Sequence, residues 1–174
     1  MSAPDDRVAD LLARHAGDVL SYLRRRTADP EDAADVLSQT LTTAWRRSAD
    51  LPADDEGARR WLFTVARGTL ANHRRGRRRA DDLSARLRSE LAAAQRIADA
   101  AGPDRVADAV REAVGRLPAV QRELVMLVHW DGFTLVEAAA VTGVPASTAR
   151  TRYATARVAL ARLLQGESTT VRRE

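Results

Sequence analysis

Residues 134–164 constrain this chain more than any other stretch. Thr134-Leu-Val-Glu137 has the Thr-x-x-Glu spacing of a capping box, which opens a helix carrying Ala138, Ala139 and Val141. Gly143-Val144-Pro145 interrupts it, and a periodic run from about 146 to 164 resumes as a long helix. A short helix, a glycine-containing turn and a second helix form the helix-turn-helix pattern. On the second helix, Ala149, Tyr153, Ala156, Leu160 and Leu163 share the side to be buried. Ser147, Thr151, Thr155 and Arg162 share the opposite side, with Arg150 and Arg157 on one edge and Arg152 on the other. Hydroxyls and arginines at the start of such a helix are what reading a DNA major groove requires. Plain helix packing is the alternative that the motif alone leaves open.

The remaining segments also have helical spacing. Val8, Leu11, Leu12, Val19, Leu20 and Leu23 predict a helix over about 6–26. Asp29-Pro30-Glu31-Asp32 predicts a helix start, with Asp29 as cap and two acids near the positive end of the dipole. That second helix, about 30–47, places Ala33, Val36, Leu37, Thr40, Leu41, Ala44 and Trp45 on one side, and 48–57 reads as a polar loop. A third helix is predicted over about 58–78. The alanine-rich stretch 80–104 reads as a linker with some helix at 84–98, and a second module then opens with helices over about 104–117 and 118–129. Hydrophobic residues are 45% of the 174, dominated by Ala and Leu, and aromatics only 4%, which suits closely packed helices and opposes a β-sandwich. The expected fold is all-α: two small helical domains joined by a flexible linker.

Composition excludes several chemistries. Cysteine is absent, so disulfides, thiolate metal sites and cysteine nucleophiles are ruled out. All 28 basic residues are arginine, which removes lysine-dependent phosphate loops and Schiff bases. His15, His73 and His129 stand without partners at ligand spacing, and Asp5-Asp6, Asp54-Asp55 and Asp81-Asp82 fall at loops or helix starts. No metal, cofactor or catalytic site is expected. No apolar run approaches the roughly 20 residues of a membrane span and the acidic start is no signal peptide, so the chain reads as soluble and intracellular.

The net charge of +4 is sharply segregated. Residues 1–58 carry −5, residues 59–79 carry eight arginines and no acid, 80–142 carry −3, and 143–165 carry four arginines and no acid. Two separate basic blocks are the footprint of a chain that touches a polyanion twice; solvated arginine-rich faces are the other reading. On the third helix, Trp61, Leu62, Val65, Ala66 and Leu70 lie around one side, whereas Arg60, Arg67, Arg74 and Arg78 fall within about 40° of one another on the other. An arginine ridge of this kind repels itself unless an anion lies along it.

These residues resemble a known family. Glu31-Asp-Ala-Ala-Asp-Val-Leu-Ser-Gln-Thr-Leu-Thr-Thr-Ala-Trp-Arg-Arg47 is similar to the pattern EDAEDLVQETFLRAWRR of the extracytoplasmic-function sigma factors, the smallest of the sigma-70 group. Trp61 to Arg67 with His73-Arg-Arg75 resembles a second motif, and Leu117-Pro, Gln121-Arg122, Asp131-Gly132, Glu137-Ala138-Ala139 and Gly143 to Arg152 resemble a third. The resemblance covers about residues 7–165 and implies domains at 6–79 (region 2), 80–104 (linker) and 105–165 (region 4); the tail beyond it, 166–174, is expected to be disordered. It implies a cytoplasmic, nucleoid-associated transcription-initiation factor that is not an enzyme and uses no cofactor. Core RNA polymerase, through its β′ and β subunits, and promoter DNA are the implied partners, with an anti-sigma factor as a further one.

By the same resemblance, Asp35, Ser38, Gln39, Thr40 and Trp45 lie where polymerase is bound. Arg60, Arg67, His73, Arg74, Arg75 and Arg78 lie where the minus-ten element is bound and melted. Ser147, Thr148, Arg150, Thr151, Arg152, Thr155 and Arg157 lie where the minus-thirty-five duplex is read. Ser38, Gln39, Gly68, Ser147 and Ala149 depart from the family pattern. Taken on their apolar faces alone, Trp45 and Trp61 are expected to pack in the core. A stand-alone helix-turn-helix regulator is the alternative function, and a pure interaction protein a third.

Overall fold

The computed structural model describes residues 3–88 and 105–171, with side chains for 6–79 and 108–165. Among the described residues there are seven α-helices and no strand. They form two compact units, one on each side of 89–104.

The first unit contains α1 (Ala3–Arg24), α2 (Pro30–Arg46), a 3-10 turn (Ser48–Asp50) and α3 (Asp55–Arg88), with each of the three helices packed on the other two. The predicted start of α2 holds: the Asp29 carboxylate accepts the Glu31 backbone N–H at 2.9 Å, and Pro30 opens the first turn. The core joins Val8, Leu11, Val19, Tyr22 and Leu23 of α1 to Ala33, Val36 and Ala44 of α2 and to Leu62, Phe63, Ala66 and Leu70 of α3. Tyr22 and Phe63 meet edge to face, with ring centroids 5.3 Å apart. Two guanidinium hydrogen bonds, both 3.0 Å, from Arg7 to the carbonyls of Pro52 and Ala53 hold the loop before α3 against α1.

Helix α3 is longer than expected at both ends. It starts at Asp55, not 58, because the Asp54 carboxylate accepts the Gly57 N–H at 2.6 Å and so caps the first turn. A Cβ at 57 would stand 2.6 Å from that carboxylate, so a larger residue there would push the capping side chain aside. The helix continues to Arg88, through the expected boundary at 79, because no proline or glycine interrupts 77–88. The expected linker is therefore helical at its start. Its remainder, with the helix expected up to 98, lies outside the described residues.

The second unit contains α4 (Arg105–Gly115), α5 (Ala119–His129), α6 (Leu135–Thr142) and α7 (Ala146–Val171). Pro118 separates α4 from α5, and the Arg122 guanidinium bridges the break to the Gly115 carbonyl at 2.9 Å. Helices α5 and α7 each pack on the other three helices of the unit. Leu124, Val125, Met126 and Leu127 are buried along α5, against Val114, Leu117, Phe133, Ala138, Val141, Ala149 and Ala156. Helix α7 passes its expected end at 164 and runs to Val171, which puts much of the supposed tail into helix. The single Gly166 there costs only about 1 kcal/mol of helix propensity, and no proline follows it.

Candidate nucleic-acid interface

The helix-turn-helix is built by local chemistry that the sequence already displays. Thr134 accepts the Glu137 N–H through its hydroxyl at 3.3 Å, and the Glu137 carboxylate accepts the Thr134 N–H at 2.8 Å, so both halves of the capping box are present. At the other end Gly143 has φ +70°, the left-handed conformation that ends a helix. The following N–H, from Val144, reaches back to the Ala139 carbonyl at 3.0 Å. That turn sets the angle at which α7 leaves α6.

On α7, Ser147, Arg150, Thr151, Thr155 and Arg157 are exposed, and Thr148 and Arg152 are half-buried at its flank. Ala149 and Ala156 are fully buried as expected, whereas Tyr153, Leu160 and Leu163 are only partly covered. Tyr153 is held by His129: its hydroxyl lies 2.8 Å from His129 Nε2 and the two rings stack with centroids 6.1 Å apart. This contact ties the end of α5 to the middle of α7, and the sequence offered no signal for it. Among the described residues, Arg150, Arg152 and Arg157 have no ion-pair partner, and Arg150 and Arg157 face solvent.

The arginine ridge of α3 is present but not uniform. Arg67, Arg74 and Arg78 are exposed, and Arg60 is half-buried. Arg74 donates to the Arg26 carbonyl, and Arg75 donates to the side-chain oxygen of its neighbour Asn72. Among the described residues Arg67 and Arg78 have no ion-pair partner. His73 requires a correction as a DNA-facing residue. Its side chain is 16% exposed and its Nε2 lies 3.3 Å from Asp32 Oδ1 across the α2–α3 contact, without the alignment of a hydrogen bond. One residue along a helix is about 100° of rotation, so the residue before Arg74 points to the packed side. Arg77, which the ridge pattern omits, pairs with the same Asp32 carboxylate.

The exposed side of α2 presents Asp35, Ser38 and Gln39. Two expectations are overturned on this helix. Thr40 is fully buried and gives its hydroxyl proton to the Val36 carbonyl at 2.7 Å, so it offers nothing to a partner. Trp45 is 44% exposed and is not a core residue. The physical reason is the rotation of the helix. Ala33, Val36, Thr40 and Ala44 form the buried stripe; Leu37 and Leu41, about 40° and 80° around from Ala33, are half-buried, and Trp45, at about 120°, is exposed. Trp61 is half-buried on α3 and Trp130 is 42% exposed. A groove of 430 Å³ runs between α2 and α3, with Ser38, Gln39, Thr42 and Thr43 on one wall and Thr64 and Asn72 on the other, beside Gly68. Of these, the sequence reading singled out only Ser38, Gln39 and Gly68; the spacing of Thr64, Gly68 and Asn72 at i, i+4 and i+8 was the available signal. Among the described residues no group of acids and histidines is placed to hold a metal, and no helix is long and apolar enough to cross a membrane.

Comparison with known proteins agrees with this division. Residues 11–80 match the family model described as Sigma-70 region 2, and residues 107–160 match Sigma-70, region 4. The RNA polymerase sigma factor CnrH of Cupriavidus metallidurans is 32% identical over 167 residues, spanning 91% of this chain and 86% of that protein. The ECF RNA polymerase sigma factor SigM of Mycobacterium tuberculosis is 31% identical over 162 residues, spanning 91% of this chain and 79% of SigM. A solved structure of CnrH in complex with the cytosolic domain of CnrY is similar with a TM-score of 0.62 at 26% identity, covering 91% of this chain and 88% of that one. These likenesses favour the sigma-factor reading over the stand-alone regulator, and a role without catalysis of its own fits the family. The chain belongs to the sigma-70 family, as an RNA polymerase sigma factor of the extracytoplasmic-function group.

Proposed function

We propose that the first unit docks on core RNA polymerase through Asp35, Ser38, Gln39 and Trp45 of α2 and grips the melted minus-ten strand through Arg67, Arg74 and Arg78 of α3. The second unit, over 105–165, reads the minus-thirty-five duplex with Ser147, Arg150, Thr151, Thr155 and Arg157, while Thr148 and Arg152 border the same surface. Arg60 and Arg75 flank the ridge; His73 and Thr40 are left out because each is turned into the protein. The observation that carries this reading is a pair of exposed arginine groups, Arg67, Arg74 and Arg78 on one unit and Arg150 and Arg157 on the other, that pair with no acid among the described residues. Arginines in such a setting hold phosphates, and capture of unstacked bases favours the melted strand.

The chain supplies the address and polymerase the catalysis. A protein partner of the anti-sigma kind is part of the proposal, supported by the relative CnrH being solved with the cytosolic domain of CnrY. Co-purification with core polymerase, start-site sequencing and run-off transcription test it. Promoter-specific product is expected only when the chain and core enzyme are both present. Tight specific binding of those promoters by the chain alone would return the regulator reading, and no promoter-specific product in any combination would end the sigma reading.

A further inference from the structure

The outward side of α7 has a chemical character that its arginines hide. Thr151 donates its hydroxyl to the Ser147 carbonyl at 3.2 Å, and Thr155 donates to the Thr151 carbonyl at 3.0 Å. Each hydroxyl proton is committed to the helix backbone one turn back. What the two side chains hold toward solvent is therefore a γ-methyl group and oxygen lone pairs, not a free donor. Ala154 is exposed and Val158 is 53% exposed on the same side. At 100° per residue Ala154, Val158, Thr151 and Thr155 fall within roughly 100° of arc. Arg150 and Arg157 border this arc on one side and Arg152 on the other. A lone surface valine needs no explanation. A valine in line with an alanine and two threonines whose hydroxyls turn back to the backbone makes a short methyl-bearing strip, one turn after Ser147 and one turn before Arg162 on the same side, with arginines along its edges.

The major groove displays one apolar group, the C5 methyl of thymine, with phosphates along both rims. The strip and its borders match that layout. We propose that α7 selects its promoter duplex through thymine methyl groups, with Thr151 and Thr155 contacting them by their own methyls and not by hydroxyl donation. From Thr151 to Val158 the helix rises about 10 Å, so the reading is confined to about three consecutive base pairs. This specificity rests on the reading that the second unit binds promoter duplex.

The test uses holoenzyme, formed from the full chain and core polymerase, on a promoter identified by start-site sequencing. Each thymine of the upstream element is replaced singly by deoxyuridine, which removes only the C5 methyl, and binding is measured. At two or more thymines within a three-pair window the loss is expected to be about fourfold, the worth of one buried methyl-sized group. Thr151→Ser and Thr155→Ser keep the hydroxyl and should each erase the preference for thymine over deoxyuridine at one position. Thr151→Val keeps the methyl and should retain that preference. Both sites are exposed, and melting curves of the variants check that α7 still folds. Indifference to deoxyuridine at every thymine, while base-pair changes still abolish binding, overturns the inference alone; so does loss of the preference in Thr151→Val with retention in Thr151→Ser. If base-pair changes in the upstream element have no effect on promoter use, the duplex-reading role of the second unit falls, and this inference with it.

Discussion

Replacing Arg67 and Arg78 together by alanine tests the ridge of α3 against the bland reading of a solvated basic face. Both side chains are exposed and neither has an ion-pair partner among the described residues. If each neutralises one phosphate of the melted strand, its loss lowers the slope of log K against log salt by about 0.7. The pair then lowers it by about 1.4. Between about 50 and 200 mM salt, a fourfold span, the variant should therefore lose roughly sevenfold less affinity than the parent does. The assay is anisotropy of holoenzyme on a labelled, premelted promoter bubble at a series of NaCl concentrations. Arg77→Ala is the internal control, because Arg77 is paired with the Asp32 carboxylate whereas Arg67 and Arg78 have no such partner among the described residues. Its slope should change by less than a quarter of the shift seen in the double variant. An unchanged slope in the double variant, or an equal shift at Arg77, would refute the assignment of the ridge to phosphate contact.

Three further outcomes follow from particular residues. Gly143→Ala should destabilise the second unit by about 1–2 kcal/mol, the cost of a left-handed backbone for an L-residue, because a Cβ there meets nothing within 4 Å. Gly143→Asn should cost less; hydrogen exchange across α6 and α7 reads both, and a neutral alanine variant would contradict the backbone argument. Gln39→Ala should weaken polymerase binding by about 0.5–1.5 kcal/mol, whereas Thr40→Val next to it should leave binding as it was, since Thr40 is buried. Pull-down titration distinguishes the two, and a docking defect in Thr40→Val with unaltered melting would reverse the placement of Thr40. Tyr22→Ala should cost about 3–5 kcal/mol in urea unfolding of the first unit, as a fully buried aromatic packed on Phe63; a loss below 1 kcal/mol would mean the α1–α3 contact is loose.

Much of the architecture was legible because it is written in short-range chemistry. The Asp29 cap, the Thr134–Glu137 capping box, the Gly143 turn and the helical repeats of α1, α2 and α7 each involve residues within a turn or so of one another. A single sequence carries that information in full. The helix ends that are not evident locally are the start of α3, where the cap at Asp54 lies four residues before the expected start, and the ends of α3 and α7, which continue past 79 and 164. In both of the latter places nothing in the backbone required a stop.

What only the tertiary structure decided is how each helix is rotated about its axis. A repeat of apolar residues defines a stripe but not its edges, and the neighbouring helices settle which flank is covered. That rotation buries Thr40 and leaves Trp45 in solvent, although both belong to one apolar pattern. It turns His73 to Asp32 while Arg74 remains outside, and it brings His129 onto Tyr153 across 24 residues of chain. By itself the sequence determined the helices, the caps at Asp29, Thr134 and Gly143, and the two basic blocks, because capping hydrogen bonds and charge are local properties. The choice of which side chains reach a partner belongs to packing between distant segments, where a turn of about 100° separates a core residue from a contact.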